Sequence, residues 1–241
     1  MTIPKWMYEQ PIAHRGLHNQ SAPENSMAAF SNAIEKNYAV EMDVQILGDG
    51  MLVVFHDFHL KRMTGYDKAL KDVTYDEIKS LTLFETQETI PTFQNFLKFI
   101  DGRIPLVIEF KNESTSTKME EKAYEMLKSY KGSFVVQSFN PLSINWFRKN
   151  APSIIRGQLS YDYKKDKTFF INKWFLRNVY GNIITRPHYV MYDIKALESN
   201  VIKRLRSQKM PLFSYTAKSK VDYEYAKRMN IPACFEGFDL E

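Results

Sequence analysis

The chain is short of cysteine, of leader-like sequence and of long apolar runs, and each shortage excludes something. Cys234 is the only cysteine, so no intramolecular disulfide can form and the composition gives no support to an oxidising compartment; a buried, inert thiol is the expected role. Residues 1–10 place Lys5 early but lack the apolar core of a secretory signal, and no uninterrupted apolar run reaches the length of a membrane span. The expected location is therefore the cytoplasm. Zinc-finger spacing and an RNA-binding aromatic signature are also missing, and the basic residues are scattered, so nucleic acid is not an expected partner. The balance of 33 basic against 28 acidic residues leaves a net charge of +5, which favours anionic partners in general without identifying one.

What is present is an alternation of short β-rich runs with longer amphipathic ones, which argues for a parallel sheet with helical crossovers. The 241 residues are close to the roughly 250 typical of a (β/α)8 barrel. The expected fold is α/β: one TIM-barrel domain over 1–241, with strands near 11–14, 39–45, 105–110, 134–138, 154–159, 188–192, 212–215 and 233–235. The first long helix should start at Asn25 or Ser26, either of which can cap it, and should bury Met27, Phe30 and Ile34.

Residues 51–55 are strand-like, yet only Leu47, Gly48, Asp49 and Gly50 separate them from the preceding strand, too few for a parallel crossover. A hairpin return is expected. A two-residue Asp49-Gly50 loop would set Gly48 opposite Met51 and Asp43 opposite His56, delivering His56 to the face of Asp43. The alternative is a longer loop that includes Gly48, with the histidine delivered beyond the ladder. Residues 58–90 then read as a small insertion over the site, with Thr74-Tyr75-Asp76-Glu77 as a capping box. Residues 167–180 read as a helix with more apolar coverage than one barrel-facing stripe needs. Packing within the protein or against a dimer partner, and peripheral contact with a membrane, are the two readings.

Chemistry concentrates in residues 12–57. In a strand containing Glu41, Met42 and Asp43 the two acids share one face and Met42 points away. Two converging carboxylates form either a raised-pKa dyad or a metal site, and hard oxygen ligands favour Mg2+ or Ca2+. An exposed pair of solvated acids is the bland alternative. His14 and His56 are the candidate proton-transfer pair, because imidazole titrates near neutrality without a large shift. His18, His59 and His188 are taken as structural or exposed.

The ordered runs His14-Arg15-Gly16, Pro23-Glu24-Asn25-Ser26, Glu41-Met42-Asp43, Asp49-Gly50 and His56-Asp57 resemble the glycerophosphodiester phosphodiesterase family in order and spacing. Ile108-Glu109-Phe110-Lys111 resembles that family's second acidic strand, with a weaker match at Gln137-Ser138-Phe139. The resemblance implies hydrolysis of a glycerophosphodiester to glycerol 3-phosphate and an alcohol. It implies one divalent cation held by Glu41, Asp43 and Glu109, His14 and His56 as acid and base, and Lys111 and Arg15 toward the phosphate. Arg15 has a second reading, as a structural ion pair locking the acids, and Lys111 as a surface partner of Glu109. Two other activities stay open: a lysophospholipase D, and a barrel that binds phosphoesters without turnover. The C-terminal end departs from the family pattern. Tyr215-Thr216-Ala217-Lys218 stands where Trp-Thr-x-Asn is common, and the run from Asn230 to Gly237 replaces the usual Gly-x-Asp-Gly-x-x-Thr-Asp, which leaves the specificity of the substrate wall open.

Overall fold

The computed structural model describes residues 1–162 and 170–240. Eight parallel strands alternate with helices in a (β/α)8 barrel: β1 Ile12–His14, β2 Ala39–Ile46, β4 Leu106–Phe110, β5 Phe134–Ser138, β6 Arg156–Ser160, β7 Tyr189–Asp193, β8 Leu212–Ala217 and β9 Ala233–Phe235. Between β2 and β4, β3 (Leu52–Val54) pairs antiparallel with β2, the expected hairpin return. The chain groups into two compact units, residues 12–134 and residues 1–11 with 135–241.

In the first unit β2 lies between β1 and β4, with Ile12 opposite Ala39 and Met42 opposite Ile108. The helix Met27–Glu35 is capped by Ser26, whose Oγ accepts from the Ala29 N–H at 3.1 Å. It buries Ala29, Phe30 and Ala33, whereas Met27 and Ile34 are only half-buried. The expected stripe is thus shifted, because the helix presses on Gly16: a Cβ there would lie 3.0 Å from the Ala29 Cβ and 3.1 Å from the Phe30 ring. Only small residues tolerate that approach. The insertion is present and has its own apolar core, in which Leu60, Met63, Leu70, Val73 and Ile78 pack with Val53 and Phe55 of the hairpin. The capping box is also present, closing the turn helix Tyr75–Ile78.

The hairpin register differs from the two-residue expectation by one residue. Val44 faces Val54, and the Phe55 N–H donates to the Asp43 carbonyl at 3.0 Å, so Phe55 rather than His56 stands opposite Asp43. The Leu47 N–H bonds the Met51 carbonyl at 2.9 Å, which leaves Gly48, Asp49 and Gly50 in a three-residue loop, with Gly50 in the left-handed region (φ +84°). Tertiary contact explains the change: the Gly48 N–H donates to the Val73 carbonyl at 3.0 Å, outside the ladder.

In the second unit β6, β7, β8 and β9 pair in parallel succession, and Cys234 is buried, as expected. Of the expected apolar helix, Lys167 and Phe169 lie outside the described residues. The observed helix is Phe170–Arg177; it stops before Val179, which adopts φ +49°. Trp174 and Phe175 are 53% and 41% exposed, while Tyr180 packs on Trp174 with ring centroids 4.9 Å apart. Among the described residues no helix is long and apolar enough to cross a membrane.

Candidate active site

Three neighbouring strands assemble the acids. Parallel pairing sets His14 level with Glu41 and Asp43 level with Glu109, and level residues on adjacent strands share a face. Glu41, Asp43 and Glu109 each offer an oxygen within 4.8 Å of the others, although they are only 1, 1 and 7% exposed. The same-face expectation for Glu41 and Asp43 holds, and the solvated-pair alternative does not. His14 closes the group, its Nε2 3.8 Å from Glu41 Oε2.

Positive groups frame the triad. Lys111 Nζ donates to Glu109 Oε1 at 3.0 Å and lies 3.7 Å from Asp43 Oδ1; its side chain is 10% exposed, so it is not a surface lysine. The Arg15 N–H donates to Glu41 Oε2 at 3.2 Å, its Nη1 donates to Glu24 Oε1 at 2.8 Å, and its Nε lies 3.6 Å from Asp43 Oδ2. Arg15 thus stands among Glu24, Glu41 and Asp43, a placement compatible with either of its two readings. Asn25 is not the helix cap. Held at φ +58°, it donates through Nδ2 to Asp43 Oδ2 at 2.9 Å and accepts the Asp43 N–H at 3.4 Å, so it fixes the orientation of that carboxylate.

His56 reaches the site by the alternative route, beyond the ladder of a hairpin whose loop includes Gly48. Buried Gln45, two residues after Asp43 on β2, aims its Nε2 at the carbonyls of Phe55, His56 and Asp57 at 2.9, 2.9 and 2.8 Å. This gathers the chain leaving β3 into a bend beyond the ladder. Asp57 Oδ1 then accepts from His56 Nδ1 at 2.7 Å, an arrangement that leaves Nε2 free for proton exchange. Gln45 had one legible signal, an amide at the next same-face position of an acidic strand. His59 lies 3.4 Å from Asp67, and His188 Nδ1 accepts from the Arg156 N–H at 3.2 Å.

The electrostatics follow from burial. Burial, with Asp43 and Glu109 beside it, pushes the Glu41 carboxyl well above its ordinary value. Burial also raises Glu109, against the pull of Lys111. For Asp43 burial acts in the same sense, but Lys111, His56, Arg15 and the Asn25 amide outweigh it and hold the group far below the usual carboxylate range. Burial lowers His56, offset in part by Asp43. Three carboxylates packed this closely repel one another unless a proton or cation intervenes. Glu41 Oε1 is buried and has no hydrogen-bond partner among the described residues; in an all-oxygen donor set it fits a ligand position for a hard divalent cation. The triad can hold a metal.

The glycerophosphoryl diester phosphodiesterase family model matches residues 14–235. The chain belongs to that family. Among relatives, YhdW of Bacillus subtilis is 36% identical over 152 residues, covering 59% of this chain and 62% of its own length, under two thirds of that protein. A glycerophosphodiester phosphodiesterase of Bacillus altitudinis is 26% identical over 243 residues and covers 94% of each chain. The barrel is similar to that of an Oleispira antarctica phosphodiesterase solved with the product sn-glycerol-3-phosphate, with a TM-score of 0.80, 23% identity and coverage of 94% of this chain and 92% of that one. Where the chain departs from the family pattern, at the end of β8, Tyr215 packs edge-on to Phe139 at 5.8 Å and donates through its hydroxyl to the Ser160 carbonyl at 2.9 Å.

Proposed function

We propose that the chain hydrolyses glycerophosphodiesters to glycerol 3-phosphate and an alcohol, with Mg2+ or Ca2+ held by Glu41, Asp43 and Glu109. The observation that carries this reading is the buried triad itself, with the partnerless Glu41 oxygen inside a frame of two histidines, Arg15 and Lys111. The product bound to the Oleispira relative is of the class proposed here. A cation at the triad supplies Lewis-acid polarisation of the phosphoryl oxygens.

The remaining work falls to the side chains. His14 and His56 exchange the protons, one activating the nucleophile and the other protonating the departing alkoxide. Asp57 keeps the proton of His56 on Nδ1, so that Nε2 faces the reaction. Lys111 uses one of its three N–H donors on Glu109, and Arg15 keeps donors beyond those on Glu24; both can meet phosphate oxygens while holding the acids. The nucleophile is water or the substrate's own 2-hydroxyl, and hydrolysis of a 2-deoxyglycerol diester at the normal rate excludes the second.

The test is product identification from glycerophosphocholine and from a lysolipid, each with Mg2+, Ca2+ or a chelator. Glycerol 3-phosphate and choline appear with one of the cations and vanish with chelator. Lysophosphatidic acid formed from the lysolipid at the higher kcat/KM makes the lipid the substrate. Binding without product under every metal condition favours a non-catalytic barrel.

A further inference from the structure

The insertion contributes Arg62, which lies in the turn helix Lys61–Thr64 and joins two otherwise separate parts of the site. Its Nε donates to Asp57 Oδ2 at 2.5 Å and its Nη2 to Asp57 Oδ1 at 3.1 Å. The same guanidinium donates through Nη1 to Glu24 Oε2 at 3.0 Å and through Nη2 to Glu24 Oε1 at 2.7 Å. Each carboxylate is already committed on its far side: Asp57 to His56 Nδ1 at 2.7 Å, and Glu24 to Arg15 Nη1 at 2.8 Å. The result is one continuous chain, His56–Asp57–Arg62–Glu24–Arg15, that begins and ends on groups facing the acidic triad.

The geometry points to Arg62 as a positioning residue that sets His56 and Arg15 relative to each other. The inference rests on the proposed hydrolysis for its kinetic consequence, though its structural content is independent of it. A guanidinium is planar and carries five donors, so it can satisfy two carboxylates in one rigid fork, which an ammonium cannot do. Asp57 Oδ1 accepts from His56 and Arg62 together, so the guanidinium fixes the plane of the carboxylate that fixes the imidazole. Glu24 is shared in the same way between Arg62 and Arg15. Arg62 itself is 44% exposed and touches none of Glu41, Asp43 or Glu109, so its effect should leave the metal site intact. This also gives the insertion a role beyond covering the barrel, since it delivers one arginine to the rim.

The experiment compares Arg62→Gln, Arg62→Lys and Arg62→Ala with wild type and with Lys61→Ala, a neighbour whose ammonium pairs with exposed Asp67. The readouts are kcat and KM on glycerophosphocholine, metal affinity by calorimetry, and the His56 tautomer by long-range nitrogen NMR of the metal-loaded protein. Losing an orienting partner costs about 10–100-fold, so kcat should fall by that factor in Arg62→Gln and less in Arg62→Lys. Metal affinity should hold, and the His56 Nδ1–H signal should give way to a tautomer mixture. Added guanidinium should restore part of kcat in Arg62→Ala. Wild-type kcat in Arg62→Gln, or a loss of kcat that tracks loss of metal affinity, overturns the inference. If Arg62→Ala does not fold, Arg62→Gln and Arg62→Lys carry the test. If wild type hydrolyses no diester, the proposed function fails, and the tautomer measurement alone decides on Arg62: an unchanged Nδ1–H signal in Arg62→Gln rejects it.

Discussion

Asp43 meets Asn25, Arg15 and Lys111, whereas one oxygen of Glu41 meets no donor among the described residues, so acids of one site differ in what they lose on substitution. If Glu109 is a metal ligand as proposed, Glu109→Gln should weaken metal affinity and depress turnover together, because it removes one charged oxygen donor. His56→Ala should lower kcat by about 10²–10⁴-fold, the usual range for a proton-transfer group, with metal affinity kept. Calorimetric metal titration beside kcat separates the two, and equal metal affinity in wild type and Glu109→Gln sinks the ligand assignment. Gln45→Leu tests the bend behind His56. It strips the donor from three carbonyls, and a buried polar group without a partner costs about 1–3 kcal/mol. Urea unfolding should show destabilisation of that order with reduced kcat, and a variant as stable and active as wild type would remove Gln45 from the site. Asn25 shows the limit of local reading at this scale. Next to a helix it looks like a cap, yet its neighbour Ser26 takes that bond and Asn25 turns to Asp43.

At the scale of elements, all eight expected barrel strands are present, two with the expected bounds, 134–138 and 233–235, and the rest displaced by one or two residues at one or both ends. Short, nearly continuous apolar runs locate them because the strands are buried on both faces. The hairpin was legible as a hairpin but not in register, because Gly48 is drawn away by Val73. A Cβ at Gly48 would lie 2.7 Å from the Lys71 carbonyl oxygen and 3.1 Å from that of Val73. Both obstacles are backbone, so Gly48→Ala must push the insertion off the hairpin, at a cost of about 1–3 kcal/mol. Hydrogen exchange should then quicken through residues 58–90 more than in β6 to β9. Uniform quickening, or none, would show that the hairpin and the insertion do not depend on this contact.

For the molecule as a whole, His188 should make stability depend on pH. The His188 N–H donates to the Arg156 carbonyl at 2.8 Å and its Nδ1 accepts the Arg156 N–H at 3.2 Å. Burial, Arg156 and the chain's amino terminus push this imidazole from 6.5 down to about 4. The unfolded chain takes up the proton near pH 6.5 while the folded one refuses it until about 4, so the folded state loses stability as pH falls through that window and loses no more below it. His188→Asn, which keeps an acceptor but cannot titrate, should flatten the dependence of Tm on pH over the window. An unchanged slope would place the acid sensitivity elsewhere.

The chain's own order of residues determined the barrel and the acidic pair, because both follow from local periodicity: strand alternation puts Glu41 with Asp43 and Glu109 with Lys111, whatever the strands pack against. The C-terminal departure is also readable in part. Asn230, in the place of the family's glycine, holds φ +55°, a region asparagine tolerates better than most residues. Only the tertiary structure decided the rest: that Gly48 leaves the ladder for a carbonyl 25 residues on, that Gln45 rather than the hairpin register delivers His56, and that Arg62 meets Glu24 across 38 positions. Those outcomes depend on which distant donors and acceptors are left without partners once the barrel has formed, and no local pattern of residues encodes that.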